Sequence, residues 1–400
     1  MLKKDLSQKL KTTSFPKIQI SMGFDGYVDE IISAVDSRQN LDVFTQIKTI
    51  TEFGNRILAA AGKSTNVELF TRHLKYGGNG PILAQSIANL GCDVNYIGAV
   101  GFPDLHPLFE ALNSNIRWTP VENPGHTMAL EFEDGKIMFG RLAMMDLNWN
   151  CLKKFSSLEF LKSFFTDCDL LGMVNWTQTP HMASIWEELL QNWLPAWLPA
   201  WLPAGATKKP ILFVDLADPQ KRTPEDIRIM LKQLSAFEKF YRVILGLNEK
   251  ESQEIASVLK IPLNDSAITK PQALTKPQAL TKPQALTKPQ ALMELKKRAE
   301  AIRSQNKITC CVIHPVAYAV CATLDGTFYH EGPHCPNPVT TTGAGDHFNA
   351  GFCFGQVLGF SATESLLLGV SNSGYYVRNA KSATLPELAN FIEAWDAKKI

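Results

Sequence analysis

The stretch best equipped for chemistry is Thr340-Thr341-Thr342-Gly343-Ala344-Gly345-Asp346-His347-Phe348-Asn349-Ala350-Gly351-Phe352. Glycines crowd its front and small or apolar residues follow, which predicts a tight loop entering a helix that continues toward Leu358. The unpaired N–H groups of a helix's first turn, joined by those of a glycine-containing loop, converge on one point and hold negative charge there. Asp346 puts a carboxylate beside that point. A carboxylate so placed would repel a bound phosphate, so its use is to accept a proton from a hydroxyl that attacks phosphorus. The chemistry expected is phosphoryl transfer onto an alcohol.

Other elements must bring the alcohol to that loop. Residues 17–21 read as a short strand turning at Gly23, with Asp25 and Asp29 just beyond it. Ligands of a parallel α/β sheet bind where strands end, so either carboxylate is placed to hold hydroxyl groups. Tyr76-Gly77-Gly78-Asn79-Gly80-Pro81 leads into an apolar helix stopped by Gly91. The paired glycines allow close backbone approach by a small ligand, and Asn79 adds a polar side chain there. Asn175 ends a buried strand. Thr127 to Gly140 is a hairpin turning at Asp134-Gly135. Val243 to Asn248 is a strand running into a helix, and Asn248 with Glu251 fits an ordinary helix cap.

Residues 341–346 with Phe348 and Gly351 resemble the C-terminal signature of the ribokinase-like, PfkB-type carbohydrate kinases, Asp-Thr-x-Gly-Ala-Gly-Asp-x-Phe. Gly77, Gly78, Ala84, Leu90 and Gly91 match the family's N-terminal signature, with Ile82 where that signature has Asn. The resemblance implies a single α/β domain over residues 1–400, a mostly parallel sheet with helices on both faces, and a small β lid from about 37–75 and 117–141. It implies Asp346 as catalytic base and Gly343, Ala344 and Gly345 as the anion hole. Acceptor binding falls to Asp25, Asp29, Gly77, Gly78, Asn79 and Asn175; Asp29 and Asp25 both approach the family's first-strand position, and both stay candidates. Nucleotide binding falls to Thr342, Gly343, Gly345, Asn248 and Asn372, and the magnesium side to Asn248 and Glu251. ATP and Mg²⁺ are the implied cofactors, with a sugar-like small molecule as acceptor and a homodimer through the lid. Thr340 stands where most members carry an acidic residue for a monovalent cation, which leaves that cation open. His314-Pro315 replaces the family's usual nucleotide turn. Two rival readings follow from these departures: a nucleoside or vitamin kinase of the same fold, and a catalytically silent nucleotide- or sugar-binding regulatory protein.

The rest of the composition narrows the field. A formal charge of +1 over 400 residues supplies no basic field for nucleic acid, and no apolar run is long enough to span a bilayer. Eight scattered cysteines behind a charged N-terminus imply reduced thiols and a cytoplasmic setting. Cys310-Cys311 lie in a strand-like run, one expected on each face. Two repeats remain. Trp-Leu-Pro-Ala recurs over 193–204, where regular proline argues against a regular helix and for a surface loop whose tryptophans lie against the body or a partner chain. Thr-Lys-Pro-Gln-Ala-Leu recurs over 269–292 and reads as an extended surface insertion.

Overall fold

The computed structural model describes residues 2–141, 143–201, 209–262 and 288–400. Fourteen strands are described: β1 Gln19–Gly23, β2 Tyr27–Arg38, β3 Phe44–Gln46, β4 Leu69–Gly77, β5 Asp93–Gly98, β6 Ile116–Pro120, β7 Gly125–Phe132, β8 Gly135–Gly140, β9 Leu170–Met173, β10 Ile211–Asp215, β11 Arg242–Leu247, β12 Cys310–Ile313, β13 Tyr318–Thr323 and β14 Gly326–Glu331. Nine build the main sheet in the order β14-β13-β12-β11-β10-β9-β1-β5-β6. From β6 to β12 every pairing is parallel, and β13 and β14 close one edge as an antiparallel hairpin.

The inner strands are short apolar runs, as a sheet covered on both faces requires. All five residues of β10 are buried. Leu212 and Val214 face one core, and Ile211 and Phe213 face the other. Cys310 and Cys311 divide between the same two cores, and all eight cysteines are free thiols. The α/β architecture expected from the sequence is therefore present.

A second, five-stranded sheet contains β3, β2, β7 and β8, with β4 added on β2. Its central strand β2 runs parallel to β7 and antiparallel to β4. This sheet differs in extent from the lid expected at 37–75 and 117–141. It begins at Tyr27, so it carries Asp29, while β6 belongs to the main sheet. The turn from β1 into β2 passes close over the end of β5. A Cβ on Gly98 would stand 2.2 Å from the Phe24 carbonyl oxygen, so only glycine fits.

The Trp-Leu-Pro-Ala segment departs from expectation. The chain is helical from Met182 to Glu188, widens to a π turn at Leu189–Trp193 and stays helical over Leu194–Trp201. In the π turn the Leu194 N–H reaches back to the Leu189 carbonyl, so the backbone has already widened where Pro195 brings its ring and lacks an N–H. Trp193 packs between Trp149 and Trp197, each at 5.5 Å between ring centroids, and Leu194 is buried. Residues 202–208 and 263–287, which hold the end of this repeat and most of the Thr-Lys-Pro-Gln-Ala-Leu repeat, lie outside the described residues.

The close approach at Gly98 is testable. Gly98→Ala should lower stability by about 3 kcal/mol through backbone displacement, read as a drop in melting temperature. Gly54→Ala, in the helix Ile50–Leu58 with nothing within 4 Å of the added carbon, should raise stability by roughly 0.5–1 kcal/mol. A Gly98→Ala protein as stable as the parent would mean that the turn after β1 does not pass over the end of β5 as described.

Candidate active site

The loop at 340–343 enters the helix Ala344–Val357 as the sequence predicts. Gly343 is the cap residue at φ 91°, a left-handed conformation that its lack of a side chain permits. The Ala344 N–H closes a turn onto the Thr341 carbonyl at 3.1 Å, and the His347 N–H reaches the Gly343 carbonyl at 3.1 Å. Among the described residues, the N–H groups of Gly343 and Gly345 have no backbone carbonyl partner. They lie at the positive end of a fourteen-residue helix, a combination that favours an anion.

Asp346 is buried in the first turn of that helix. Burial holds its carboxyl well above the ordinary carboxylate range, and Asp25 and Glu251 push the same way. Hydrogen bonds oppose them, first that of Asn79, which donates its Nδ2–H to Asp346 Oδ1 at 3.0 Å, and then that of the residue's own backbone N–H. Asn79 begins the helix Asn79–Asn89, so the two glycine stretches meet at this contact.

Asp25 holds the second stretch in place. The cap residue Gly78 has no side chain to offer, and the carboxylate of Asp25 takes over the capping. Its Oδ2 accepts from the Asn79 N–H at 2.9 Å and from Asn175 Nδ2 at 2.8 Å, and its Oδ1 accepts from the Gly80 N–H at 2.9 Å. Tyr96 donates its hydroxyl to the Asp25 backbone carbonyl and approaches Oδ1 at 3.4 Å. Burial nevertheless pushes the pKa of Asp25 up to about 6. Asn175 is fully engaged too, since its Oδ1 accepts from the Gln178 N–H at 3.3 Å. Asp25 and Asn175 were both expected to hold the acceptor; here their polar atoms serve the protein's own interior, and they form the floor of the site.

Asp29 lies on β2, opposite Lys75 on one side and Thr127 on the other. Its carboxyl is raised by burial against the lowering effects of Lys75, the Thr127 hydroxyl, Lys136 and His126. It presses on Gly77, where a Cβ would be 2.7 Å from Asp29 Oδ2, while one on Gly78 would be 2.9 Å from Asp25 Oδ2. The glycine pair thus threads between two carboxylates.

Three further expectations change. Asn248 and Glu251 form a reciprocal cap on the helix Glu249–Val258: Asn248 Oδ1 accepts from the Glu251 N–H at 2.9 Å, and Glu251 Oε2 accepts from the Asn248 N–H at 2.8 Å. Glu251 Oε1 also accepts from the Asp218 N–H at 2.9 Å, so both its oxygens bind backbone rather than standing free for a metal. Asn372 is wholly buried between helices, donating to Ser86 Oγ at 3.0 Å and to the His347 carbonyl at 2.7 Å, and it does not line a nucleotide pocket. Ile82, at the signature's Asn position, lies 3.5 Å from where a Gly343 Cβ would be, as part of an apolar wall behind the loop.

Sequence reasoning missed Asp215 and Asn349. Asp215 ends β10, and burial, Glu251 and Asp346 hold it well above the ordinary carboxylate range. Asn349, one turn beyond Asp346, donates Nδ2–H to Asp215 Oδ2 at 2.9 Å. The signal available was an acidic residue closing an entirely apolar run. His314 packs against Phe348 with ring centroids 4.7 Å apart and planes tilted by 32°, its Cε1 3.3 Å from the Cβ position of Gly345, and burial lowers its pKa to about 4. Among the described residues no group of three or more His, Cys, Asp or Glu side chains has metal-binding geometry, and no helix is long and apolar enough to cross a membrane.

The family model described as prokaryotic ketohexokinase matches residues 5–292 and 278–395. The ketohexokinase of Haloferax volcanii is 25% identical over 380 residues, covering 94% of this chain and 91% of that protein. The solved ribokinase of Thermotoga maritima superposes with a TM-score of 0.56 at 16% identity, covering 95% of this chain and 99% of the other. A ribokinase II from E. coli, described as putative and solved with ATP and Mg²⁺, gives a TM-score of 0.55 at 14% identity over 94% and 99% of the two chains. At such identities the structural likeness shows a common fold.

The Asn79 contact predicts a titration shift. A hydrogen bond to the charged form of a carboxyl lowers its pKa, so Asn79→Ala should move the Asp346 titration to higher pH. Carbon NMR of the Asp346 carboxyl in the two proteins would measure it, and an unmoved or lowered midpoint would contradict the contact.

Proposed function

The chain belongs to the prokaryotic ketohexokinase family and is a carbohydrate kinase, and from that premise we propose that it transfers the γ-phosphoryl group of ATP to a hydroxyl of a ketohexose. The observation that carries this reading is the meeting of Asp346 and Asn79 at the mouth of an anion-binding helix.

Asp346 takes the proton of the acceptor hydroxyl. Its raised proton affinity strengthens it as a base, and with Oδ1 held by Asn79 its other oxygen is the one that receives the proton. The N–H groups of Gly343 and Gly345 lie where charge develops on the transferred group. Asp29 and Asn79 hold neighbouring hydroxyls of the acceptor, while Asp25 and Asn175 keep the floor rigid beneath it. Asn79 therefore takes up the part that the signature's missing Asn would have at Ile82. The small sheet, joined to the site through Asp29, acts as a lid that excludes water as a competing acceptor. Mg²⁺ keeps most of its waters in kinase sites and, when bound, would neutralise charge on the phosphates. Asp215, buried at the end of β10, fits a place beside those waters.

The test is ADP release from ATP and Mg²⁺ with ketohexoses, aldohexoses, pentoses and nucleosides as acceptors. Asp346→Asn should lower turnover with the preferred acceptor by about 10³-fold while nucleotide binding persists. Full turnover in that variant would remove Asp346 as the base, and preference for a nucleoside would replace the ketohexose as acceptor.

A further inference from the structure

We propose that His347 is a positioning residue for the anion loop, pinning the Gly343 carbonyl while its stacking partner Tyr376 pins that of Thr342. The proposal rests on the phosphoryl-transfer reading of this loop. The family signature leaves the residue after the aspartate open, and here it is a buried histidine. His347 Nδ1 lies 2.7 Å from the Gly343 carbonyl oxygen. A carbonyl only accepts, so Nδ1 carries the hydrogen. The other nitrogen, Nε2, then accepts from the Ser382 hydroxyl at 2.9 Å. Both ring nitrogens are thereby matched, which fixes the tautomer and the ring plane.

The ring lies flat on Tyr376, with centroids 3.6 Å apart and planes 14° from parallel. The Tyr376 hydroxyl donates to the Thr342 carbonyl at 2.9 Å and stands 3.1 Å from where a Gly343 Cβ would be. One stacked pair therefore holds two consecutive carbonyls of the loop.

Peptide planarity turns this into a statement about the anion site. In a trans peptide the C=O of one residue and the N–H of the next point opposite ways. Holding the Thr342 carbonyl against Tyr376 sets the Gly343 N–H on the side away from Tyr376. Holding the Gly343 carbonyl against His347 sets the Ala344 N–H, which closes its turn onto Thr341. The Gly343 carbonyl also accepts from the His347 N–H at 3.1 Å, so the ring adds a second bond to that oxygen, while Gly343, at φ 91° and without a side chain, adds no steric restraint of its own. A rotated peptide would present a carbonyl dipole to the phosphoryl oxygens in place of an N–H.

The experiment separates this role from mere packing. Asparagine places Nδ2 near the position of the histidine Nδ1, whereas glutamine places its amide near Nε2. His347→Gln should lower kcat about tenfold, the worth of one hydrogen bond lost from the loop, with little change in acceptor KM. His347→Asn should restore most of that loss. A packing role would make the two variants equal, and equal rates would overturn the proposal. Tyr376→Phe keeps the stack and removes only the hydroxyl; its kcat should fall with KM unchanged, and an unchanged kcat counts against the proposal even if both histidine variants fold poorly.

Amide exchange over residues 342–345 supplies a readout independent of turnover. Exchange should quicken in His347→Gln and Tyr376→Phe but not in His347→Asn. That pattern in a protein inactive on every acceptor would uphold the clamp and reject the kinase reading, while uniform exchange across the variants would reject the clamp.

Discussion

A carboxylate removed from water must be surrounded by donors, and the site is built around one such group. Asp25 stands at the point where β1 ends and the chain leaves for the small sheet. Its donors come from the start of the helix Asn79–Asn89 and from Asn175 beyond β9, while Tyr96 in β5 donates to its backbone carbonyl. Three parts of the chain are thereby fixed to one residue. Removing a single donor from such an arrangement leaves a buried charge short of a partner, which costs more than the bond itself contributes. The position of Asn79, and through it that of Asp346, follows from this cap.

The anion loop was legible because its physics is local. Glycines before a helix and an aspartate in the first turn define an anion site without help from the rest of the chain. The acceptor side was not, because Asp25 and Asp29 look alike as sequence and differ only in what surrounds them. Two backbone N–H groups and an amide point at Asp25, while Asp29 has β-strand neighbours on either side and presses on Gly77. Asn248 and Glu251 present the same difficulty in reverse. A cap and a metal-side motif share that spacing, and only the observed reciprocal bonds reveal how the side chains are used. Asn372 was placed by analogy along a helix, and its interior position depends on the packing of two other helices. Asp215 was visible as an acidic residue ending an apolar run, yet its meaning required its neighbours Asn349 and Glu251.

The proline repeat shows a different limit. Proline forbids a standard helical bond, but it does not forbid a helix that has already widened by one residue. The π turn at Leu189–Trp193 does so, and the gain in packing Trp193 and Leu194 against the main core offsets the irregular backbone. Local propensity was overruled here by tertiary burial, as is common for segments rich in large apolar side chains.

The electrostatics of the site turn on a balance that neither loop nor floor sets alone. Burial and the neighbouring acids raise the proton affinity of Asp346, which strengthens it as a base. Raised without limit, it would stay protonated and could accept nothing. Asn79 opposes this most strongly by donating to the ionised carboxylate, and Asn79 is held in place by Asp25. The same acidic residue that raises the affinity of Asp346 through its charge therefore also positions the amide that lowers it. Such opposition ties the proton affinity of the base to the geometry of the floor, so a disturbance beneath the acceptor is felt at the reacting carboxylate without touching it.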